Sequence, residues 1–245
     1  MPGFKRVLTI VLIVLGPGSI IYFLAKNLKN KFVELPYLGQ YDYTYDSDSV
    51  AIDSTAFIIP DFNLTNFDGV PITRDSIEDK FIVLSTIQNT CPLMEDCAMS
   101  MYHFNELFFS KMVNNQGNYG NVKVLSILTD DDGNPVPEGP SEYLREEMEE
   151  YDQSIWWMCY GDPTPLFSWE YYGMNFMEHE STAKDGEIGK YAFVNSLVLI
   201  DQKGCVRAVS GAKKDSDIRN FFDMLKLLKK EDFDKKWEEK KKNEE

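Results

Sequence analysis

The fold is decided by the stretch Phe81-Ile-Val-Leu-Ser-Thr-Ile87, which precedes Cys91-Pro-Leu-Met-Glu-Asp-Cys97 by three residues. A continuous apolar run of this length is typical of a strand in the buried centre of a sheet. Downstream, apolar residues recur at spacings of three and four, which predicts a helix from about Asp96 to Val113. The two cysteines therefore lie at a strand-to-helix junction. A thiol near a helix N-terminus ionises more easily, and its thiolate is both a nucleophile and a metal ligand.

The spacing of the two cysteines limits how they can pair. On one regular helix, six residues would separate the Cα atoms of Cys91 and Cys97 by about 9 Å along the axis, whereas a disulfide needs less than about 7 Å. Reversible pairing therefore requires a loop over 92–96, with the helix beginning near Asp96. A redox-active or metal-binding pair, a static disulfide, and an exposed Cys91 beside a core Cys97 all remain open.

The flanking sequence predicts an α/β domain. Short strands are expected around 58–64 and 70–73, and Ser141 is a plausible N-cap for a charged helix over 141–151. A hairpin and a closing amphipathic helix over 215–228 follow. Three further strands are predicted at 122–128, 155–160 and 195–200, the last returning through 205–209. This order of elements, with a thiol pair after the first central strand, specifies a thioredoxin-like mixed central sheet with flanking helices.

Composition and charge restrict the class of protein. The chain has 245 residues, of which 43% are hydrophobic and 13% aromatic, as expected for a packed globular core. Its net charge of -15 argues against nucleic acid as a partner, because a phosphate backbone would repel it. The sequence contains no Ser-His-Asp set and no glycine-rich phosphate loop.

Four segments are predicted along the chain. Residues 1–26 hold an apolar run, 7–25, flanked by lysine and arginine, which is long enough to nearly cross a bilayer. We expect one N-terminal transmembrane helix acting as a membrane anchor, with a cleaved signal peptide as the alternative. Residues 27–55 are predicted to be a polar linker and 56–228 the thioredoxin-like domain. Residues 229–245 are predicted to be a charged C-terminal tail, either a solvated helical extension or a frayed end.

Beyond this pattern, the sequence resembles the Sco/SenC family, the membrane-anchored thioredoxin-fold proteins associated with assembly of the copper centre of cytochrome oxidase. The motifs that carry the resemblance are Ile59-Pro-Asp-Phe62 with Phe67-Asp-Gly69, the strand running into Cys91-Pro92, and the segments 122–131, 152–161 and 196–204. The resemblance covers about 58–228. It implies copper as the bound metal and an oxidase subunit or redox protein as partner. It also implies a soluble domain outside the cytoplasm, on the periplasmic side of the inner membrane in a Gram-negative cell.

Two departures from the family pattern affect the expected copper site. The family spaces its cysteines Cys-x3-Cys, whereas this chain has five residues between Cys91 and Cys97. The family also places a histidine before the hairpin strand, where this chain has Asn195, and Asn is a poor ligand for Cu(I). Met94, whose thioether is a soft ligand, and His179 are further candidates for the metal site. His103, the other histidine, is expected on the helix and directed away from Cys97.

The remaining cysteines and the possible functions complete the expectations. Cys159 and Cys205 lie on predicted strands, and a core role is expected for both, with a mutual disulfide as the alternative. Cys91 is predicted to be the exposed nucleophile or first ligand, and Cys97 the resolving thiol or second ligand. Three functions remain open: copper and thiol handling for a respiratory oxidase, thiol–disulfide exchange without a metal, and a binding module with a structural disulfide.

Overall fold

The computed structural model describes residues 34–47, 49, 51–93, 99–179 and 192–244. The predicted N-terminal anchor, 1–26, lies outside the described residues. None of the helices in the described ranges is both long and apolar enough to cross a membrane. The compact unit that contains the fold begins at Glu34.

Within the described ranges, the main sheet has seven strands in the order β11-β10-β5-β6-β7-β3-β4. The strands are β3 Asn63–Asn66, β4 Pro71–Thr73, β5 Phe81–Gln88, β6 Val122–Thr129, β7 Trp156–Tyr160, β10 Ser196–Ile200 and β11 Val206–Gly211. Strands β5, β6 and β7 are parallel, and the outer strands pair in the antiparallel sense. The predicted central strands are confirmed, and the sheet is mixed as expected.

The helices and the smaller strands surround this sheet. The helices are α1 Met101–Phe104, a π-helix Asn105–Phe109, α2 Ser110–Val113, α3 Gln116–Tyr119, α4 Glu142–Met148, α5 Thr164–Phe167 and α6 Asp215–Glu244. Short 3-10 turns occupy Arg74–Ile77, Phe176–Glu178 and Ala192–Asn195. Two small hairpins are formed by β1 Tyr41–Tyr45 with β2 Ala51–Ala56, and by β8 Glu170–Tyr171 with β9 Met174–Asn175.

Strand β5 is buried along its whole length and divides the core into two layers. Phe81, Val83 and Ile87 face the layer that contains α1 and α6. Ile82 and Leu84 face the opposite layer, which is filled by loop residues and short turns. Each buried aliphatic side chain contributes about 1.5–3 kcal/mol. The continuous apolar run therefore reflects a strand that is covered on both faces.

Three segments differ from the sequence-based expectation. The helix after the cysteines begins at Met101 rather than near Asp96, because Ser100 is its N-cap and accepts a hydrogen bond from the His103 amide. A π-helix follows, and it turns three consecutive apolar side chains into the core. Residues 27–55 are predicted to form a linker, yet Tyr41–Tyr45 and Ala51–Ala56 pair as the β1–β2 hairpin. In β1, Tyr alternates with polar residues, and these residues pair with β2. The segment has no helical period, but that feature alone does not distinguish a hairpin from a linker.

The third difference is at the C-terminus, where the helical extension over 229–244 forms as one of the two predicted alternatives but is not solvated throughout. Part of this extension is not a solvated tail. Glu231 forms an ion pair with the buried Arg207, at 2.9 Å. Lys229 donates to the side chain of Asn121, at 2.5 Å. These contacts attach the extension to the domain.

Candidate functional site

Cys91 lies just beyond the carboxyl end of β5, at the edge of the sheet. It is partly buried and disulfide-bonded. The amide of Met101, the first residue of α1, donates to the Pro92 carbonyl, at 2.9 Å. The Ser100 hydroxyl donates to the Leu93 carbonyl, at 2.8 Å. The two ends of the segment that carries Cys97 are therefore held together, with Cys91 beside the start of the helix.

The connection between β5 and Cys91 is fixed by hydrogen bonds to two other loops. The Asn89 amide donates to the Thr129 carbonyl, at 2.8 Å, which continues the pairing with β6. Ser141 donates to Asn89 twice, from its amide to the side-chain oxygen at 2.7 Å and from its hydroxyl to the carbonyl at 2.6 Å. The N-cap of α4 therefore also anchors the backbone two residues before Cys91.

Asp131 provides the second anchor. Its Oδ1 accepts hydrogen bonds from the Thr90 hydroxyl and from Gln88 Nε2, the latter at 2.8 Å. These hydrogen bonds, of which the one from Thr90 has the larger effect and the one from Gln88 the smaller, hold the pKa of Asp131 below its ordinary value. The sequence did not single out Asp131, Asn89 or Ser141 as parts of the site. The run Asp130-Asp131-Asp132-Gly133 was the available signal, but its position beside Cys91 depends on the parallel pairing of β5 with β6.

Asn195 is at the same edge of the sheet as Cys91. Strand β10 runs antiparallel to β5, with Val198 opposite Leu84, so the start of β10 lies beside the end of β5. The Thr86 hydroxyl also donates to the Val194 carbonyl, which fixes the 3-10 turn that ends at Asn195. Asn195 therefore lies at the same end of the sheet as Cys91.

His179 is held by its own surroundings. Its Nε2 makes a hydrogen bond with the Tyr171 carbonyl, and its ring lies edge-on to the Tyr171 ring with centroids 5.6 Å apart. Its carbonyl accepts from the Ala192 amide, at 2.8 Å, three residues before Asn195. The histidine is therefore near the 3-10 turn, with one ring nitrogen already engaged. Residues 180–191, which follow it, lie outside the described residues.

The other chemistry-bearing residues are distributed elsewhere. Cys159 and Cys205 are buried and free, so the predicted core role is confirmed and the mutual disulfide is not formed. Burial raises the pKa of the Cys159 thiol to about 12 and that of Cys205 to about 11, which makes both thiols unreactive. His103 Nδ1 lies 3.8 Å from a carboxylate oxygen of Asp215, on the helical side of the core.

The donors at this edge fit a Cu(I) site only in part. A reduced Cys91 would supply one soft thiolate, whereas Asn195 supplies a hard amide. Among residues in the described ranges, no group of three or more His, Cys, Asp or Glu side chains is arranged to hold a metal ion. Cys97 and Met94 lie outside the described residues. The described part of the site is therefore a disulfide-bonded cysteine on a loop that hydrogen bonds hold in place.

Comparison with known proteins gives similarity in fold but not in sequence. No protein-family model matches the chain, and no curated protein matches it. Among solved structures, BsSco, a member of the Sco family of cytochrome c oxidase assembly proteins, is 15% identical with a TM-score of 0.50, covering 71% of this chain and 94% of its own.

Two further structures belong to the same group. An SCO1/SenC family lipoprotein from Bacillus anthracis is 20% identical with a TM-score of 0.47, and the match covers 70% of this chain and 95% of that chain. Copper-bound ScoI from Arabidopsis thaliana is 15% identical with a TM-score of 0.45, covering 72% of this chain and 99% of that chain. The resemblance carried by the sequence motifs is thus matched by the structure: the chain has the thioredoxin-like fold seen in Sco/SenC structures.

Proposed function

We propose that this protein is a divergent Sco-like thiol protein in which Cys91 and Cys97 interconvert between a disulfide and a dithiol that binds Cu(I). One observation carries the proposal: the disulfide-bonded Cys91 directly follows the central buried strand, on a segment tied at both ends. Because Cys159 and Cys205 are free thiols, Cys97 is the proposed partner of Cys91.

The disulfide form would act as an oxidant toward a dithiol partner. A partner thiolate attacks one sulfur of the Cys91–Cys97 bond, the S–S bond breaks, and a mixed disulfide forms while the other cysteine leaves as a thiolate. The second thiolate of the partner then attacks the mixed disulfide. The partner is released as a disulfide, and this chain takes up two electrons and two protons. The reverse sequence, which starts from the dithiol, would reduce a partner disulfide.

Copper would be cargo rather than a resident cofactor. The reduced pair offers two thiolates, which are ligands that Cu(I) prefers. Met94 and His179 are the proposed additional ligands, and Asn195 is not one.

The cellular setting is part of the same proposal. The apolar run 7–25 would anchor the chain in a membrane, with the described domain on the outer side. A disulfide that persists is consistent with an oxidising compartment. The protein partner would be an oxidase subunit or another redox protein, as the resemblance to the Sco/SenC family implies.

A second candidate function is thiol–disulfide exchange without a metal. The specific observation in its favour is Asn195, which occupies the place where the family resemblance implies the third copper ligand. This function uses the same cysteines and the same exchange steps, so only metal binding separates the two. A binding module with a fixed structural disulfide is the remaining reading.

The deciding experiment is an anaerobic Cu(I) titration of the reduced protein. We expect one Cu(I) per chain, lost in Cys91→Ser and in Cys97→Ser and retained in Cys205→Ser, which removes a buried thiol remote from the pair. Absence of tight binding in the reduced wild-type protein would reject copper handling and leave thiol–disulfide exchange. A companion titration of His179→Ala tests that ligand, and an unchanged affinity would reject it.

A further inference from the structure

The β1–β2 hairpin stands apart from the main sheet. Its two strands pair only with each other within the described residues, and all their residues except Ala56 are exposed. The hairpin is attached at its base, where the Phe57 amide donates to the Gln40 carbonyl at 3.0 Å. The Gln40 side chain accepts from the Glu170 amide, at 2.9 Å. An isolated two-stranded hairpin is at best marginally stable in water, so a partner that packs against this hairpin would stabilise it.

One face of the hairpin is a stripe of tyrosines. Tyr41, Tyr43 and Tyr45 alternate along β1 and therefore point to the same side. They are 39%, 54% and 59% exposed, and successive ring centroids are 6.4 Å apart. Their directly opposed cross-strand partners are small: Ala56, Ser54 and Ala51.

The other face and the surrounding sequence are acidic. Asp42 and Asp53 lie opposite Thr55 and Thr44 in the register, on the face away from the tyrosines. No lysine, arginine or histidine occurs between Lys31 and Arg74. The same interval contains the acidic residues Glu34, Asp42, Asp46, Asp48, Asp53, Asp61 and Asp68. Exposed aromatic rings are thus combined with negative charge that nothing in this interval of sequence neutralises.

We propose that the β1–β2 hairpin is a docking arm for a protein partner that presents lysine and arginine side chains. Guanidinium or ammonium groups would lie over the open faces of Tyr43 and Tyr45, because aromatic rings attract cations. A two-stranded ribbon is narrow, with strands about 4.8 Å apart. Long basic side chains that bind the tyrosine face would therefore also reach Asp42 and Asp53 on the opposite face. Aromatic residues at protein interfaces are the usual source of binding energy.

Charge excludes two other occupants. A second copy of this chain would bring one acidic arm against another, in a protein whose net charge is -15. An anionic lipid surface would be repelled in the same way. A basic protein surface is the partner whose charge complements the arm. This assignment goes beyond the proposed function, because it involves neither cysteine nor copper.

The test measures binding of a hexa-arginine peptide to the full chain by isothermal titration at low ionic strength. Tyr43→Leu combined with Tyr45→Leu keeps apolar bulk and removes the ring faces, and we expect it to weaken binding about tenfold. Asp42→Asn with Asp53→Asn is expected to weaken binding as well and to flatten its salt dependence. The controls are Tyr102→Leu, an exposed tyrosine elsewhere, and Glu149→Gln with Glu150→Gln, which remove two exposed carboxylates from another surface.

The outcome decides between this arm and general acidity. Equal loss in the arm variants and in their controls would overturn the proposal, as would unchanged binding in the tyrosine variant. A dimer that requires Tyr43 and Tyr45 in sedimentation, or tyrosine-dependent binding to anionic vesicles, would also overturn it. The Cys91→Ser variant is expected to bind the peptide as the wild type does, so failure of the redox proposal leaves this result readable.

Discussion

Glu231 is predicted to be the most important residue of the C-terminal extension for stability. Its carboxylate receives both a 2.9 Å ion pair from Arg207 and a 2.6 Å one from Lys235, and it accepts from the Leu35 amide at 3.3 Å. The Arg207 side chain is 3% exposed and the Glu231 side chain 7% exposed. Arg207 also pairs with Asp201, at 3.1 Å. The cluster connects Leu35, the β10–β11 turn and α6.

The perturbation is Glu231→Ala. Removal of one partner from a buried ion pair costs about 3–5 kcal/mol, because the other charge is left buried and uncompensated. Asp201 still faces Arg207 in the variant, so we expect a loss at or below the lower limit of that range, about 2–3 kcal/mol of unfolding free energy. Glu238→Ala, at an exposed position on the same helix, is the control and should change stability by less than about 0.5 kcal/mol.

Urea unfolding of residues 34–245, followed by tryptophan fluorescence, measures the difference. A loss in Glu231→Ala no larger than in Glu238→Ala would refute the reasoning, because it would show that the extension is a solvated tail after all. A second variant, Arg207→Met with Glu231→Leu and Asp201→Asn, removes all three buried charges of the cluster, so that no buried charge is left without its partner. It should recover part of the loss, since an apolar replacement of a buried pair is often neutral.

Three further predictions concern Glu231, Ser141 and Cys159. Burial tends to raise the pKa of Glu231, but hydrogen bonds from Lys235 and Arg207 outweigh it and hold the pKa below its ordinary value. The ionised Glu231 carboxylate therefore contributes its full stabilisation of the fold above the unfolded-state pKa of about 4.3. This stabilisation is lost as the pH falls through the folded-state pKa. The difference in unfolding free energy between wild type and Glu231→Gln should therefore narrow below about pH 4 in urea titrations. Ser141→Ala removes the cap on the Leu144 amide and the hydroxyl's hydrogen bond to the Asn89 carbonyl, while the Ser141 amide keeps its bond to the Asn89 side chain. It should cost about 1–2 kcal/mol in the same assay, and a loss under about 0.5 kcal/mol would contradict the anchoring role. Cys159, with a pKa of about 12, should react with a thiol reagent only after unfolding, and rapid labelling of the native protein, read by mass spectrometry, would show that the burial is wrong.

Most of the central sheet could be predicted from the sequence because its signals are local. Strand β5 is a continuous apolar run, and the structure buries every residue of it. Ser141 precedes a charged helical pattern, and it is the N-cap of α4. The turn Asp201–Gly204 separates two apolar runs, and the structure places it between β10 and β11. In each case, a stretch of about ten residues of sequence is enough to indicate the burial or the cap.

The parts that could not be predicted depend on distant contacts. Glu231 is one acidic residue in a charged helix, and only the position of Arg207 on β11 makes it a buried partner. Asp131 becomes part of the Cys91 region through a pairing of parallel strands, which brings residues 41 positions apart into contact. The β1–β2 hairpin buries neither of its faces, so the alternation of Tyr with polar residues along β1 resembles a polar linker. The first helix after the cysteines is predicted to begin near Asp96, whereas it begins at Met101 with Ser100 as its N-cap.

The central claim is that Cys91 and Cys97 form one reversible two-electron couple. The most direct test equilibrates the protein with glutathione buffers of graded potential, traps the thiols by alkylation and quantifies each cysteine peptide by mass spectrometry. We expect Cys91 and Cys97 to titrate together, with about 30 mV for each tenfold change in the ratio of oxidised to reduced protein. Cys205 should remain reduced throughout. Separate titration of the two cysteines, or a Cys91 that stays oxidised at every potential, would contradict the claim.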